Sequence, residues 1–195
     1  MLMNYPNGKQ KRDRKIVTTA NRGMNLEKMI NQTNEFYRNN DIAIIHKKPI
    51  PIQIVNVDYK QRSAAKIVEA YYKLPSTTDY NGIYQSRYID FEAKETKNKT
   101  SFPIKNIHEH QVHHLEQCAK HGGIAFIIIY FSSLDRLFFL DQKYVSQYYQ
   151  RSKNARKSIT LKEIEKHGYE IIEGYRKPVD YLKVVDTYYL NQDAQ

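Results

Sequence analysis

The chain has 195 residues, enough for one domain with a sizeable core. Its 31 lysines and arginines against 21 acidic residues give a formal charge of +10, which points to a polyanionic partner, nucleic acid first and a membrane surface second. A single cysteine excludes an intramolecular disulfide, no apolar run approaches the roughly 20 residues of a spanning helix, and the start carries no signal-type apolar segment. A cytoplasmic, nucleoid-associated protein with no membrane partner is therefore expected.

The first fifteen residues are polar, basic and aperiodic and read as a flexible arm. Met24, Leu26, Met29, Ile30, Thr33 and Tyr37 form one helical stripe, with Asn25 as the N-cap. A short strand follows from Ile42. Pro49 and Pro51 forbid a central strand after it, so the alternating Ile50, Ile52 and Ile54 predict an extended arm. Residues 63–73 fit a helix or a strand, and their β-branched residues and tyrosines favour the extended form. Asn81-Gly82 is a turn signal, placed to close a hairpin into the strand that ends at Thr96.

Residues 104–121 read as a helix ended by Gly122 and Gly123, with Ile104, Ile107, Leu115, Cys118 and Ala119 on one face. The apolar run 124–131 has the length of a strand buried on both faces, and residues 135–141 supply its neighbour. A helix over 143–152 and a capping-box spacing at Thr160 and Glu163 follow. The tail from Pro178 closes the domain. This order predicts an α/β fold with a mixed sheet flanked by helices.

The stretch Asp90-Phe91-Glu92-Ala93-Lys94 is unusual in so basic a chain. On a strand, Asp90, Glu92 and Lys94 share one face while Ile89, Phe91 and Ala93 share the other. A hairpin would bring Asp79 beside Glu92. Two adjacent carboxylates repel unless a cation lies between them, and hard oxygen donors select Mg²⁺ over zinc. A lysine on the same face can steady charge on a phosphoryl oxygen. By itself Glu-x-Lys is more often a solvated strand edge. The helical pair His110 and His114 invites a zinc reading, but Gln111 stands where a zincin needs glutamate, and Cys118 has no cysteine partner. A histidine-rich helix face is the plainer reading, with Cys118 in the helix core.

Asp79 followed by Glu92-Ala93-Lys94 resembles the PD-(D/E)xK nuclease superfamily, with Glu27 at the position of its first-helix glutamate. The usual proline before the aspartate is replaced by Thr78. The stretches 21–30, 49–59, 76–96, 102–111 and 122–131 resemble the RecU-type Holliday junction resolvases. That resemblance implies a restriction-endonuclease-like sheet and a homodimer that nicks four-way junction DNA symmetrically with Mg²⁺, Mn²⁺ substituting, in recombination and repair. It implies Asp79, Glu92 and Lys94 as catalytic residues, Thr77, Asp79, Glu92 and Gln111 as metal ligands, and Glu27 in support. It makes residues 16–195 the nuclease domain. It further implies that residues of about 48–73 form a protruding stalk that enters the junction, where Lys60, Arg62, Lys66 and Lys73, with Arg22 outside it, meet phosphates and Tyr59, Tyr71 and Tyr72 stack on bases; the alternative packs Tyr71 and Tyr72 as ordinary sheet residues. Contacts with the RecA recombinase and the RuvAB branch-migration machinery are implied as well. The alternatives are a junction-binding modulator that does not cut, and another nuclease of the same superfamily.

Overall fold

The computed structural model describes residues 25–59, 64–73 and 77–190. Helix α1 (Leu26–Asn39) starts where the Asn25 side chain accepts a hydrogen bond from the Lys28 amide at 2.9 Å. Such a cap is worth about 1 kcal/mol. Of the predicted stripe Leu26, Met29, Ile30, Thr33 and Tyr37 are buried, and Met24 lies outside the described residues. The chain then turns through Asp41, at φ 53°, so β1 (Ile44–Lys47) begins two residues later than the pattern from Ile42 suggested.

A six-stranded mixed sheet forms the centre. Its members are β1, β4 (Tyr80–Tyr84), β5 (Arg87–Thr96), β7 (Ile124–Phe131), β8 (Arg136–Asp141) and β10 (Tyr169–Ile171), in the order β1-β4-β5-β7-β8-β10. Only β5 and β7 run parallel, joined by the crossover that contains helix α2 (Glu109–Lys120). A small pair, β6 (Ser101–Pro103) and β9 (Ser158–Thr160), lies apart from this sheet.

Two cores cover the sheet. On one face α1 and the C-terminal helix α5 (Leu182–Val185) pack over Ile45, Ile89, Phe91, Phe126, Ile128 and Phe139. Phe91 stacks against Tyr80 and Phe126, with ring centroids 4.8 and 4.9 Å away. On the other face α2, α3 (Gln142–Asn154) and α4 (Leu161–His167) pack over Ala125, Ile127, Ile129, Phe138 and Leu140. Every residue of β7 is buried, as its unbroken apolar run requires of a strand covered on both faces. The Thr160–Glu163 capping box is formed, with the Glu163 backbone N–H donating to the Thr160 hydroxyl.

Two expectations are corrected. Asn81 and Gly82 do not form the turn: they lie inside β4, with Gly82 opposite Ile45 of β1 and Ile89 of β5. A Cβ there would collide with the Ile44 carbonyl oxygen and stand 2.6 Å from the Ile45 Cα, so the glycine serves close backbone approach. The reversal falls instead on Gln85 and Ser86, at φ 44° and 62°, the left-handed pair that a two-residue hairpin needs. The helix expected from Ile104 is also shorter. A 3-10 turn occupies Ile104–Asn106, and α2 starts only after His108. Ile104 and Ile107 are nevertheless buried.

The ambiguous segment is a two-stranded hairpin of its own, β2 (Ile52–Asp58) with β3 (Lys66–Tyr72). The Lys73 amide donates to the Pro51 carbonyl at 3.0 Å and closes its base. All seven residues of β3 are exposed. Ile52, Ile54, Val55, Ile67 and Val68 on this hairpin are all exposed.

Candidate active site

The charged row of β5 sits where alternation placed it. Asp90, Glu92 and Lys94 pair in register with Ala125, Ile127 and Ile129 of β7, so all three project toward α2. Tyr80 pairs with Phe91, which brings the residue before it, Asp79, beside Glu92. The Asp79 amide donates to Glu92 Oε2 at 3.1 Å. The Lys94 ammonium holds Glu92 Oε1 at 2.8 Å. Glu92 is 1% exposed and Lys94 is mostly buried as well.

Burial is the main cause that pushes the Glu92 carboxyl up to about 7. Lys94 pulls against this and the Asp79 carboxylate adds to it. A carboxyl so raised, next to a second carboxylate, has its charge restored most directly by a cation. Both donors are hard oxygens, the set that suits Mg²⁺-type ions.

Glu27 lies in the first turn of α1 and is bound by Lys47 of β1 at 2.6 Å. The buried Tyr80 hydroxyl has no hydrogen-bond partner among the described residues. Burial first, then Glu27, Asp79 and Glu92 in turn, push it well above the usual phenol range. Thr77 is exposed at the approach to this site. Gln111 is buried in the first turn of α2, but its side-chain oxygen accepts from the His108 amide at 3.0 Å. To serve as a ligand it must give up or share that cap. Arg22, Lys60 and Arg62, like the basic arm at 1–15, lie outside the described residues. Lys66 and Lys73 are on the hairpin, exposed, with Tyr59, Tyr71 and Tyr72. Tyr71 and Tyr72 are 62% and 83% exposed, so the reading that packs them as ordinary sheet residues does not hold.

Asp90, whose role the sequence left open, is fully buried in a hydrogen-bonded knot. It accepts from the Thr78 hydroxyl, from the Lys48 ammonium at 2.8 Å and from the Tyr88 hydroxyl at 2.8 Å, with His114 Nε2 3.1 Å away. Asp90, His114 and Cys118 have ligand atoms within 4.8 Å of one another, a set that could hold a metal ion. Yet the Lys48 ammonium already supplies the positive charge there, 3.5 Å from His114 Nε2. Burial, and then the Asp90 charge, push the Cys118 thiol up to about 11, so it keeps its proton. Sequence spacing had paired His114 with His110 instead. No signal along the chain pointed to Lys48, and Thr78 stood out only as the residue in place of the motif's proline.

A mixed sheet presenting two carboxylates and a lysine from adjoining strands has the layout of the nuclease class of α/β proteins that the sequence resembles. Comparison with known proteins narrows this. The family model described as Recombination protein U matches residues 21–187. The chain is 52% identical over 200 residues to a protein of Bacillus cereus (strain G9842) named Holliday junction resolvase RecU, covering 98% of this chain and all of that one. A protein of the same name from Geobacillus sp. (strain WCH70) is 50% identical with the same coverage. This chain belongs to the RecU family. A solved structure of Hjc, a Holliday junction resolvase from Archaeoglobus fulgidus, overlaps 54% of this chain and 78% of its own at 15% identity and a TM-score of 0.35, too little to bear on the site.

Proposed function

We propose that this protein is a structure-specific endonuclease that resolves Holliday junctions. The observation that carries the reading is the buried Glu92 carboxyl, held between the Asp79 amide and the Lys94 ammonium in a chain half identical to resolvases. Among the described residues no helix is long and apolar enough to cross a membrane, and the +10 charge suits a DNA substrate in the cytoplasm.

Asp79 and Glu92 would hold the divalent ion, Mg²⁺ with Mn²⁺ as substitute, and Thr77 and Gln111 would complete its oxygen set. Bound there, the ion supplies a lowered water pKa and neutralises charge on the phosphate. The residues of this chain do the remainder. Glu92, raised by burial, gives up its proton, and its oxygens and those of Asp79 face the ion. Lys94, relieved of its hold on Glu92, turns its ammonium to the phosphoryl oxygen where charge grows. As water adds to phosphorus, one P–O ester bond breaks and the leaving oxygen takes a proton. The enclosing α2 keeps bulk water from the charged row. Glu27, paired with Lys47, steadies α1 against β1 beside the site.

The domain reading assigns residues 48–73 to a stalk that enters the junction, with Lys66 and Lys73 toward phosphates and the three exposed tyrosines toward bases. A two-fold homodimer on a two-fold junction would make symmetric nicks. Contacts with RecA and RuvAB rest on the resemblance alone. The test is cutting of a synthetic four-way junction in Mg²⁺ by wild type, Asp79→Asn and Glu92→Gln, with binding followed in Ca²⁺. Symmetric nicks lost in both variants while binding persists are expected. Binding without cutting by the wild type would instead mark a junction-binding modulator, and preference for linear duplex another nuclease of the superfamily.

A further inference from the structure

The hairpin leaves the sheet and returns to it through two short segments, and both are tied to one residue. On the way out, Lys48 follows directly on β1. On the way back, Thr78 and Asp79 lead into β4. The Lys48 amide donates to the Asp79 carbonyl at 2.7 Å, so the two segments are laced together by backbone. The Lys48 ammonium reaches the Thr78 hydroxyl at 2.9 Å and Asp90 at 2.8 Å, and the Thr78 hydroxyl itself donates to Asp90. Asp90 is fully buried on the catalytic strand, two residues from Glu92 on the same face. Tyr88 of the same strand and His114 of α2 fill its remaining acceptor positions.

Burying a carboxylate this completely is costly unless it is paired and hydrogen-bonded. A purely structural role would be served as well by an apolar residue packed against Ala125. The partners here are not scattered. Two of them, Lys48 and Thr78, belong to the roots of the hairpin, and Thr78 is bonded directly to Asp79.

We propose that Asp90 is a positioning residue: through Lys48 and Thr78 it fixes the hairpin roots to β5 and so sets Asp79 against Glu92 for the divalent ion. The inference rests on the reading of Asp79 and Glu92 as the metal pair. It adds a mechanical link, because the segment that docks in the junction and the segment that carries the first carboxylate are held by one anchor.

The discriminating variant is Lys48→Met. Removing a positive charge near a cation site tightens cation binding by electrostatics alone. Loss of positioning loosens it. Changes to groups that orient metal ligands typically cost about 10- to 100-fold in metal affinity or activity. Mn²⁺ affinity of the free protein, read by electron paramagnetic resonance, should therefore weaken by about 10-fold or more in Lys48→Met. The charge-neutral Thr78→Val should weaken it likewise with Lys48 still in place, and Thr78→Ser, which keeps the hydroxyl, should restore it. Single-turnover cutting of a saturating four-way junction should fall in parallel, with junction affinity in Ca²⁺ near that of wild type. Tighter Mn²⁺ binding in Lys48→Met, or wild-type Mn²⁺ affinity in Thr78→Val, would overturn the proposal. Should Thr78→Val fail to fold, Lys48→Met decides alone. A wild type that binds Mn²⁺ yet cuts no junction would refute the resolvase reading, while the Mn²⁺ comparison would still decide the role of Asp90.

Discussion

Burial of an ionised Glu92 should make the protein less stable without a cation than it would be with a neutral side chain. Its carboxyl is raised from an ordinary 4.5 to about 7 by burial, against the pull of Lys94. A group raised in the folded state favours folding fully below its unfolded value, and that contribution is lost as pH rises through the folded value. The window is therefore pH 4.5 to about 7. At about 1.4 kcal/mol per pH unit, ionised Glu92 costs the native state about 3 kcal/mol at pH 8. Glu92→Gln cannot ionise, and its side-chain oxygen can still accept from the Asp79 amide. In EDTA at pH 8 it should melt about 6–12 °C above wild type, taking 2–4 °C per kcal/mol for a chain of this size. At pH 4.5 the gap should close. Scanning calorimetry at the two pH values, with and without Mg²⁺, is the assay. Mg²⁺ should lift the wild type and leave Glu92→Gln where it was. A Glu92→Gln protein that melts at or below wild type at pH 8, or a gap independent of pH, would show that burial does not dominate at Glu92.

Three further outcomes are expected. Divalent affinity, measured by Mn²⁺ titration, should rise with pH up to about 7 and then level, because Glu92 must lose its proton before it ligates. Lys94→Met should lower single-turnover junction cutting by about 100-fold or more while Ca²⁺-supported binding persists, since one aligned donor to the developing charge is worth that much. Tyr71→Ala with Tyr72→Ala should leave the denaturation midpoint near wild type, both side chains being exposed, and weaken junction binding by about 1–3 kcal/mol per stacked base.

Much of this molecule was legible along the chain because its signals are local. The cap at Asn25, the stripe of α1, the unbroken apolar run of β7 and the capping box at Thr160 each depend on a few consecutive residues, and each formed as read. The same holds for the charged row: strand alternation alone puts Asp90, Glu92 and Lys94 on one face. The turn was misread for a local reason too. Asn81-Gly82 carries the commonest hairpin signal, but a glycine is equally what a strand needs where its paired neighbour β1 comes unusually close. Nothing near Gly82 in sequence announces Ile44 and Ile45, which lie almost forty positions away. Gln85 and Ser86 give a weaker signal, yet they take the left-handed conformation because pairing β4 with β5 leaves them no other.

By itself, then, the sequence determined the elements, the face that bears the carboxylates and the family to which the chain belongs. Only the tertiary structure decided what surrounds those carboxylates. That Glu92 is buried deeply enough to be raised to about 7, that Lys48 and Thr78 meet at Asp90, and that the hairpin tyrosines stay in water are long-range facts. Desolvation and charge pairing depend on what the fold places within a few ångströms, and spacing along a chain does not measure that distance.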